Sequence, residues 1–170
     1  MEKLKSVLLK LTITGFIFYI ISYFLNWISY KYLKNKIINR QSWDLNICCG
    51  HTDGGGVNAD IVKHSELPNF VLLEDIYDLP FKDKQFEHVL CSHTIEHVDH
   101  PLKFHEELQR VGEKITYLVP PIWDITAAFN FFEHKWLFLT CNTKFSTPPK
   151  HIKLPLAEKL QKRIGQTIKA

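Results

Sequence analysis

The chain has 170 residues, 45% of them apolar and 23% charged, which leaves room for one domain and an appendage and excludes a multidomain assembly. A formal charge of +3 is too mild for a nucleic-acid surface, so no nucleic acid partner is expected. Four cysteines, two adjacent as Cys48-Cys49 and none in a C-x-x-C pair, argue against a disulfide framework or a zinc knuckle and suit a reducing compartment.

Leu11 to Tyr30 carry no charge, and a helix of that length spans roughly 30 Å, the thickness of a bilayer's hydrocarbon core. Tyr23, Trp27 and Tyr30 are the rings expected at a membrane interface. No small-residue cleavage site follows, so residues 1–30 read as a retained single-pass anchor in contact with lipid through residues 11–30. Lys31, Lys34, Lys36 and Arg40 slightly outnumber the basic residues before the span, which favours a cytoplasmic domain behind it. Residues 31–43 form a basic linker or short helix.

Five apolar runs then read as strands: Leu45 to Cys48, Val57 to Ile61, Phe70 to Glu74, Phe86 to Cys91 and Ile115 to Val119. The links between the first three are too short for helical crossovers. One sheet face should therefore lack part of its helix cover, to be supplied by Lys31 to Ser42, a partner or the membrane surface. Pro101 opens a helix in which Phe104, Leu108 and Val111 recur at helical spacing, and Gly112 stops it. Lys135 to Thr140 and Thr143 to Thr147 read as a β-hairpin turning at Cys141-Asn142. Residues 151–170 read as an amphipathic basic helix. Leu156, Leu160, Ile164 and Ile168 form its stripe, which either packs on the domain or lies on lipid.

Leu45-Asn46-Ile47-Cys48-Cys49-Gly50, the Gly-rich loop after it, Asp60, Asp75-Ile76, and Ser92-His93-Thr94-Ile95-Glu96-His97 occur in the order of a nucleotide-gripping sheet edge. Together they resemble the class I S-adenosylmethionine-dependent methyltransferases, in particular the small type 11 members. The resemblance covers Leu45 to Pro121, with a weaker echo at His134-Lys135-Trp136. It implies a minimal Rossmann-like α/β domain over residues 44–150, S-adenosylmethionine as cofactor, and a small-molecule, lipid or protein methyl acceptor.

By that resemblance, Asn46, Cys48, Cys49 and Gly50 form the turn approached by the methionine part of the cofactor, with Asn in place of the family's acid and Cys in place of its first glycine. Asp60 takes the ribose hydroxyls, Asp75 and Ile76 clamp the adenine, and Ser92 and His93 border the methionine end. His93 and His97 are the candidates for proton transfer. Trp123, His134, Lys135 and Trp136 line an acceptor pocket or belong to the core. Two other classes compete. A non-catalytic binding module of the same fold is suggested by Asn46, Cys48 and the short crossovers. A zinc hydrolase is suggested by His93-x-x-Glu96-His97, although a β-type run leads into that motif where a helix is wanted, and no metal is expected.

Overall fold

In a parallel sheet buried on both faces the strand residues are apolar in near-continuous runs, and the runs noted above form such a sheet. The computed structural model describes residues 2–166. Its strands are β1 (Trp43–Ile47), β2 (Gly55–Asp60), β3 (Phe70–Leu72), β4 (Phe86–Ser92) and β5 (Gly112–Leu118), with an edge strand β7 (Lys144–Phe145). Their order is β3-β2-β1-β4-β5-β7, parallel except for β7, which runs antiparallel to β5. Connections run outward from β1 in one direction and from β4 in the other, so the order reverses between these two strands. Their carboxyl ends flank the crevice where open α/β sheets bind ligands.

One face carries the main core. Leu45 and Ile47 lie in register with Val89 and Cys91, and these with Ile115 and Tyr117. Helix α3 (Pro101–Val111) covers them with Phe104, Leu108 and Val111, all fully buried. Pro101 stands at the start of that helix, where its missing N–H costs nothing, and Gly112 ends it by passing directly into β5.

The opposite face is covered in two ways. Helix α1 (Glu2–Asn26) continues through a π-helical segment, Trp27–Leu33, into α2 (Lys34–Ile38). Ile37 and Ile38 meet Trp43, Leu90 and Leu118, and the Trp43 indole donates to Ile38 O at 3.0 Å. The Lys31 to Ser42 stretch thus supplies cover, and it is helical as far as Ile38. Over β1 and β2 no crossover helix exists, as the short links required. The sheet there presents amides in place of apolar side chains. Buried Asn46 donates to Thr52 O (2.7 Å) and Asn58 Oδ1 (3.2 Å), and Gly54 N donates to the same Asn58 oxygen at 2.9 Å. The loop after β1 therefore roofs the sheet through hydrogen bonds, and no uncovered apolar patch arises at that point.

Two expectations about the carboxyl-terminal third need correction. Lys135 to Thr140 and Thr143 to Thr147 do not pair with each other. Strand β6 (Trp136–Phe138) pairs antiparallel with β8 (His151–Lys153), while β7 joins the main sheet. The edge of β5 offers unsatisfied backbone groups to residues 144–145, and that pairing outcompetes a tight turn at Cys141-Asn142. The final helix is also shorter than residues 151–170, because 151–153 are strand and α5 spans Ala157–Ile164. Its packed residues are Ala157 and Gln161, whereas Leu156 and Ile164 are 71% and 56% exposed. Ile168 lies outside the described residues.

A clamp fastens the Leu79-Pro80-Phe81 turn to α3. Arg110 donates to Leu79 O, Phe81 O, Asp83 and Glu107, and Glu107 Oε1 accepts from Leu79 N at 2.7 Å. The Arg110 guanidinium holds the Glu107 carboxyl below its usual range, against the opposing effect of partial burial. A lowered folded value means the stabilisation is present above the ordinary carboxylate range and is lost as pH falls through the lowered value. Arg110→Met strands two carbonyls and removes the partner of two carboxylates, Asp83 and Glu107. It should cost about 2 kcal/mol, lower Tm by roughly 4–8 °C at pH 7, and flatten the fall in Tm between pH 5 and pH 3; differential scanning calorimetry across that range checks both.

Candidate active site

Three strand ends meet at the crevice. After β1, Cys48 and Gly50 take left-handed backbone conformations (φ 51° and 55°), turning the chain sharply over the carboxyl edge. Cys49 N donates to Ala59 O, and Gly50 N donates to Asp60 Oδ2 at 2.9 Å. Asp60 ends β2 and is buried; its Oδ1 accepts from Ile61 N at 2.8 Å and more weakly from Val62 N. The structure thus joins Cys48, Cys49, Gly50 and Asp60 in one corner. Asn46 sits inside the roof of that corner, its amide protons spent on Thr52 and Asn58.

By the resemblance noted above Cys48 stands at a glycine position, yet its side chain turns into the protein. It packs on the main core, hydrogen-bonds with Thr94 and lies near Cys91. Burial, with Asp60 nearby, pushes the Cys48 thiol well up; burial also raises Cys91, and Cys49 reaches about 11. All three are thiols at neutral pH, so none is a ready nucleophile.

Asp75 follows β3 by three residues. Its carboxylate accepts from Tyr77 N at 2.8 Å, an Asx turn, and Ile76 packs on the edge of the core. Tyr77 Oη in turn accepts from Asp99 N and His100 N, tying this loop to the segment after β4. At the end of β4, Ser92 Oγ is buried without a hydrogen-bond partner among the described residues. An orphaned hydroxyl at the end of β4, beside the strand that leads into the Gly50 turn, fits a polar ligand at this edge. His93 is strained at φ 53° and lies edge-on to Tyr30 at 5.0 Å between ring centroids.

Tyr30 belongs to the π-helical segment, so the end of the long apolar helix leans over the site. Asn26 donates to both oxygens of Asp124 (3.3 and 3.2 Å), which also caps the short helix α4 (Ile125–Ala128). The sequence hid this arrangement, since Tyr30 reads equally well as an interfacial ring. Thr94 lies within the Ser92–His97 motif, but its type alone does not signal its contact with Cys48.

A second group of polar side chains is packed beneath. Glu96 is fully buried, with His93 Nδ1 at 3.4 Å and the rings of His97 and His134 in T-shaped contact at 4.7 Å. Burial would raise the Glu96 carboxyl, but His93, His97 and His134 outweigh it and hold it down at about 2. Burial drives His134 down to about 4 despite Glu96. The remaining acceptor-pocket candidates divide. Lys135 pairs with Asp99 (2.6 Å) and Trp136 donates to Val98 O (2.8 Å), and both line a groove of about 590 Å³ with His100, Leu154, Leu156 and Lys159. Trp123 donates to Cys141 O and is not among the residues that line this groove.

Residues 56–119 match the family model described as a methyltransferase domain. That segment runs from β2 to just past β5 and contains Asp60, Asp75, Ser92 and His93. No curated protein matches the chain. Solved structures similar to it include the Haloferax volcanii methyltransferase in complex with its activator Trm112 (18% identity, TM-score 0.41, 55% of this chain and 52% of that one). Others are a SAM-dependent methyltransferase from Aquifex aeolicus (16%, 0.40, 55% and 65%) and one from Methanosarcina mazei (16%, 0.41, 67% and 76%). The chain spans about half the length of the first of these. Over residues 56–119 the chain resembles a methyltransferase domain, and its parallel sheet, with the strand order reversing between β1 and β4, is Rossmann-like.

Proposed function

We propose that this protein is a membrane-tethered S-adenosylmethionine-dependent methyltransferase. One observation carries the reading: within or beside the matched segment, the Cys48–Gly50 turn, Asp60 and the unpartnered Ser92 hydroxyl come from adjacent strands at the point where the sheet order reverses. The cofactor brings an activated methyl group, so the protein needs chiefly to bind it and align an acceptor. Asp60 would accept ribose hydroxyls, Asp75 with Ile76 would hold the adenine, and Gly50, Ser92 and His93 would face the methionine end. Tyr30 against His93 shields that end from solvent.

Tethering is supported by α1, which begins the one helix in the described residues long and apolar enough to cross a membrane, with only 6% of its apolar window buried. Ser22, Asn26 and Ser29 face the domain, so the lipid-facing stretch is shifted toward the N-terminus of Leu11 to Tyr30. Ile125, Phe129 and Phe132 are exposed on and just after α4, which packs against α1. With Leu156 and Ile164 they supply apolar contacts for a membrane surface, and an acceptor that is itself lipid-borne or held at that surface suits this placement. The basic flank after the helix favours the cytoplasmic side.

Titration calorimetry of the full chain in detergent with S-adenosylhomocysteine tests the proposal. Binding in the micromolar range is expected; no binding up to millimolar rejects it. A non-catalytic module remains the second reading, because the Asp60 carboxylate already serves three backbone N–H groups. Binding of S-adenosylhomocysteine without transfer of a labelled methyl group from S-adenosylmethionine to any component of a membrane extract would favour that module.

A further inference from the structure

A carboxylate without hydrogen-bond partners in a protein interior is costly unless something positive satisfies both oxygens. Glu96 is such a group: it is fully buried, and neither oxygen has a hydrogen-bond partner among the described residues. His134, 5% exposed, leaves its Nδ1 equally unpartnered. His97 Nδ1 lies 3.0 Å from Glu133 O. A carbonyl only accepts, so Nδ1 must carry the proton, and the Nε2 of the neutral ring keeps its lone pair. One ligand atom each from Glu96, His97 and His134 lie within 4.8 Å of one another.

We propose that Glu96, His97 and His134 bind a divalent transition-metal ion of the zinc class, with His93 as the neighbouring fourth group. The donor set of imidazole nitrogens and one carboxylate is that of zinc sites. Zinc holds such ligands at about 2.0–2.2 Å, which spaces them roughly 3.3–3.6 Å apart in a tetrahedron; side-chain shifts of about 1 Å complete the shell. The His97 hydrogen bond to a backbone carbonyl is the outer contact that orients a metal-bound imidazole. Simple pairing of Glu96 with a His93 imidazolium is the competing account. It leaves His134 Nδ1 and the His97 lone pair unused, whereas a cation engages both.

The ion would join two segments distant in sequence. Glu96 and His97 follow β4 at the crevice, and His134 precedes β6. Lys135 N and Trp136 N already donate to Glu96 O, so the backbones are adjacent before any ion binds. The site therefore fastens the carboxyl-terminal third onto the loop that carries Ser92 and His93. This role is structural and differs from peptide hydrolysis.

The test uses the untagged full chain in detergent, with zinc and cobalt(II) as probes. Dialysis against micromolar zinc should leave one ion per chain by elemental analysis, and EDTA should lower Tm. Cobalt should give the intense visible bands of a low-coordinate nitrogen and oxygen site. His134→Gln and His97→Gln should each weaken cobalt binding at least about 100-fold, as loss of a direct ligand requires. If either variant misfolds, the zinc content and cobalt spectrum of the native chain still decide. Less than a tenth of an ion per chain, or cobalt bands unchanged in a folded variant, overturns the proposal. S-adenosylhomocysteine calorimetry on the same samples separates this result from failure of the cofactor reading: a metal-free chain that binds it loses the metal site alone.

Discussion

Gly56→Ala should destabilise the fold strongly, by about 3 kcal/mol or more, with Tm lowered by roughly 6–12 °C. An added Cβ would press on Trp43 O and sit 2.6 Å from Asp44 O. Both are backbone atoms of the paired strand and cannot rotate away. The approach follows from the short link between β1 and β2, only residues 48–54, which draws the start of β2 tightly against the start of β1. Trp43 N donates to Gly54 O at 2.8 Å and locks the two together. Relief would mean parting the strands whose far ends flank the proposed ligand crevice, so stability and ligand affinity should fall together. Gly15→Ala is the contrast. That glycine lies in α1 with nothing within 4 Å, and Ala is the better helix former, so Tm should stay level or rise. Thermal denaturation of the two variants side by side checks the argument; a Gly56→Ala protein with native Tm would mean that β1 and β2 are not so closely joined.

What the sequence disclosed tracks how local the cause is. Apolar runs bounded by turns marked five strands, because burial on both faces leaves a composition signal in each segment. Pro101, Phe104, Leu108, Val111 and Gly112 marked α3 for the same reason. The pairing of β6 with β8 was not legible. It depends on which edge is free after β5 forms, and residues 144–145 take that edge first in space, not in sequence. The roof over Asn46 and Asn58 was half legible. The missing crossover helices were evident from link length, but the replacement of apolar cover by an amide network requires knowing that Asn46 and Asn58 stand in register. Around the crevice, the resemblance pointed to Gly50 and Asp60, and the Gly50 N–H donates to the Asp60 carboxylate. Tyr30 and His134 come from segments with unrelated patterns, so only the fold brings them to His93 and Glu96.

Asp60→Asn should weaken S-adenosylhomocysteine binding by about 100-fold, close to 2.7 kcal/mol, if its carboxylate accepts ribose hydroxyls. A carboxylate offers about four acceptor positions, and two strong N–H donors plus one at 3.4 Å occupy part of them. The weak Val62 contact can yield to a hydroxyl, whereas the 2.9 Å bond from Gly50 fixes the turn proposed to hold the ligand. Asparagine keeps the volume but turns an NH2 toward either Gly50 N or the ligand, donor against donor. The substitution therefore affects fold and affinity at once, and Tm must be read with Kd. Asp75→Asn separates the effects. Asn still accepts from Tyr77 N through Oδ1, so the turn survives, while the loss of charge toward an adenine amine should cost roughly 10-fold in Kd at unchanged Tm. If folded Asp60→Asn binds within threefold of the native chain, Asp60 serves only the Gly50 turn, and the ribose must be held by other groups.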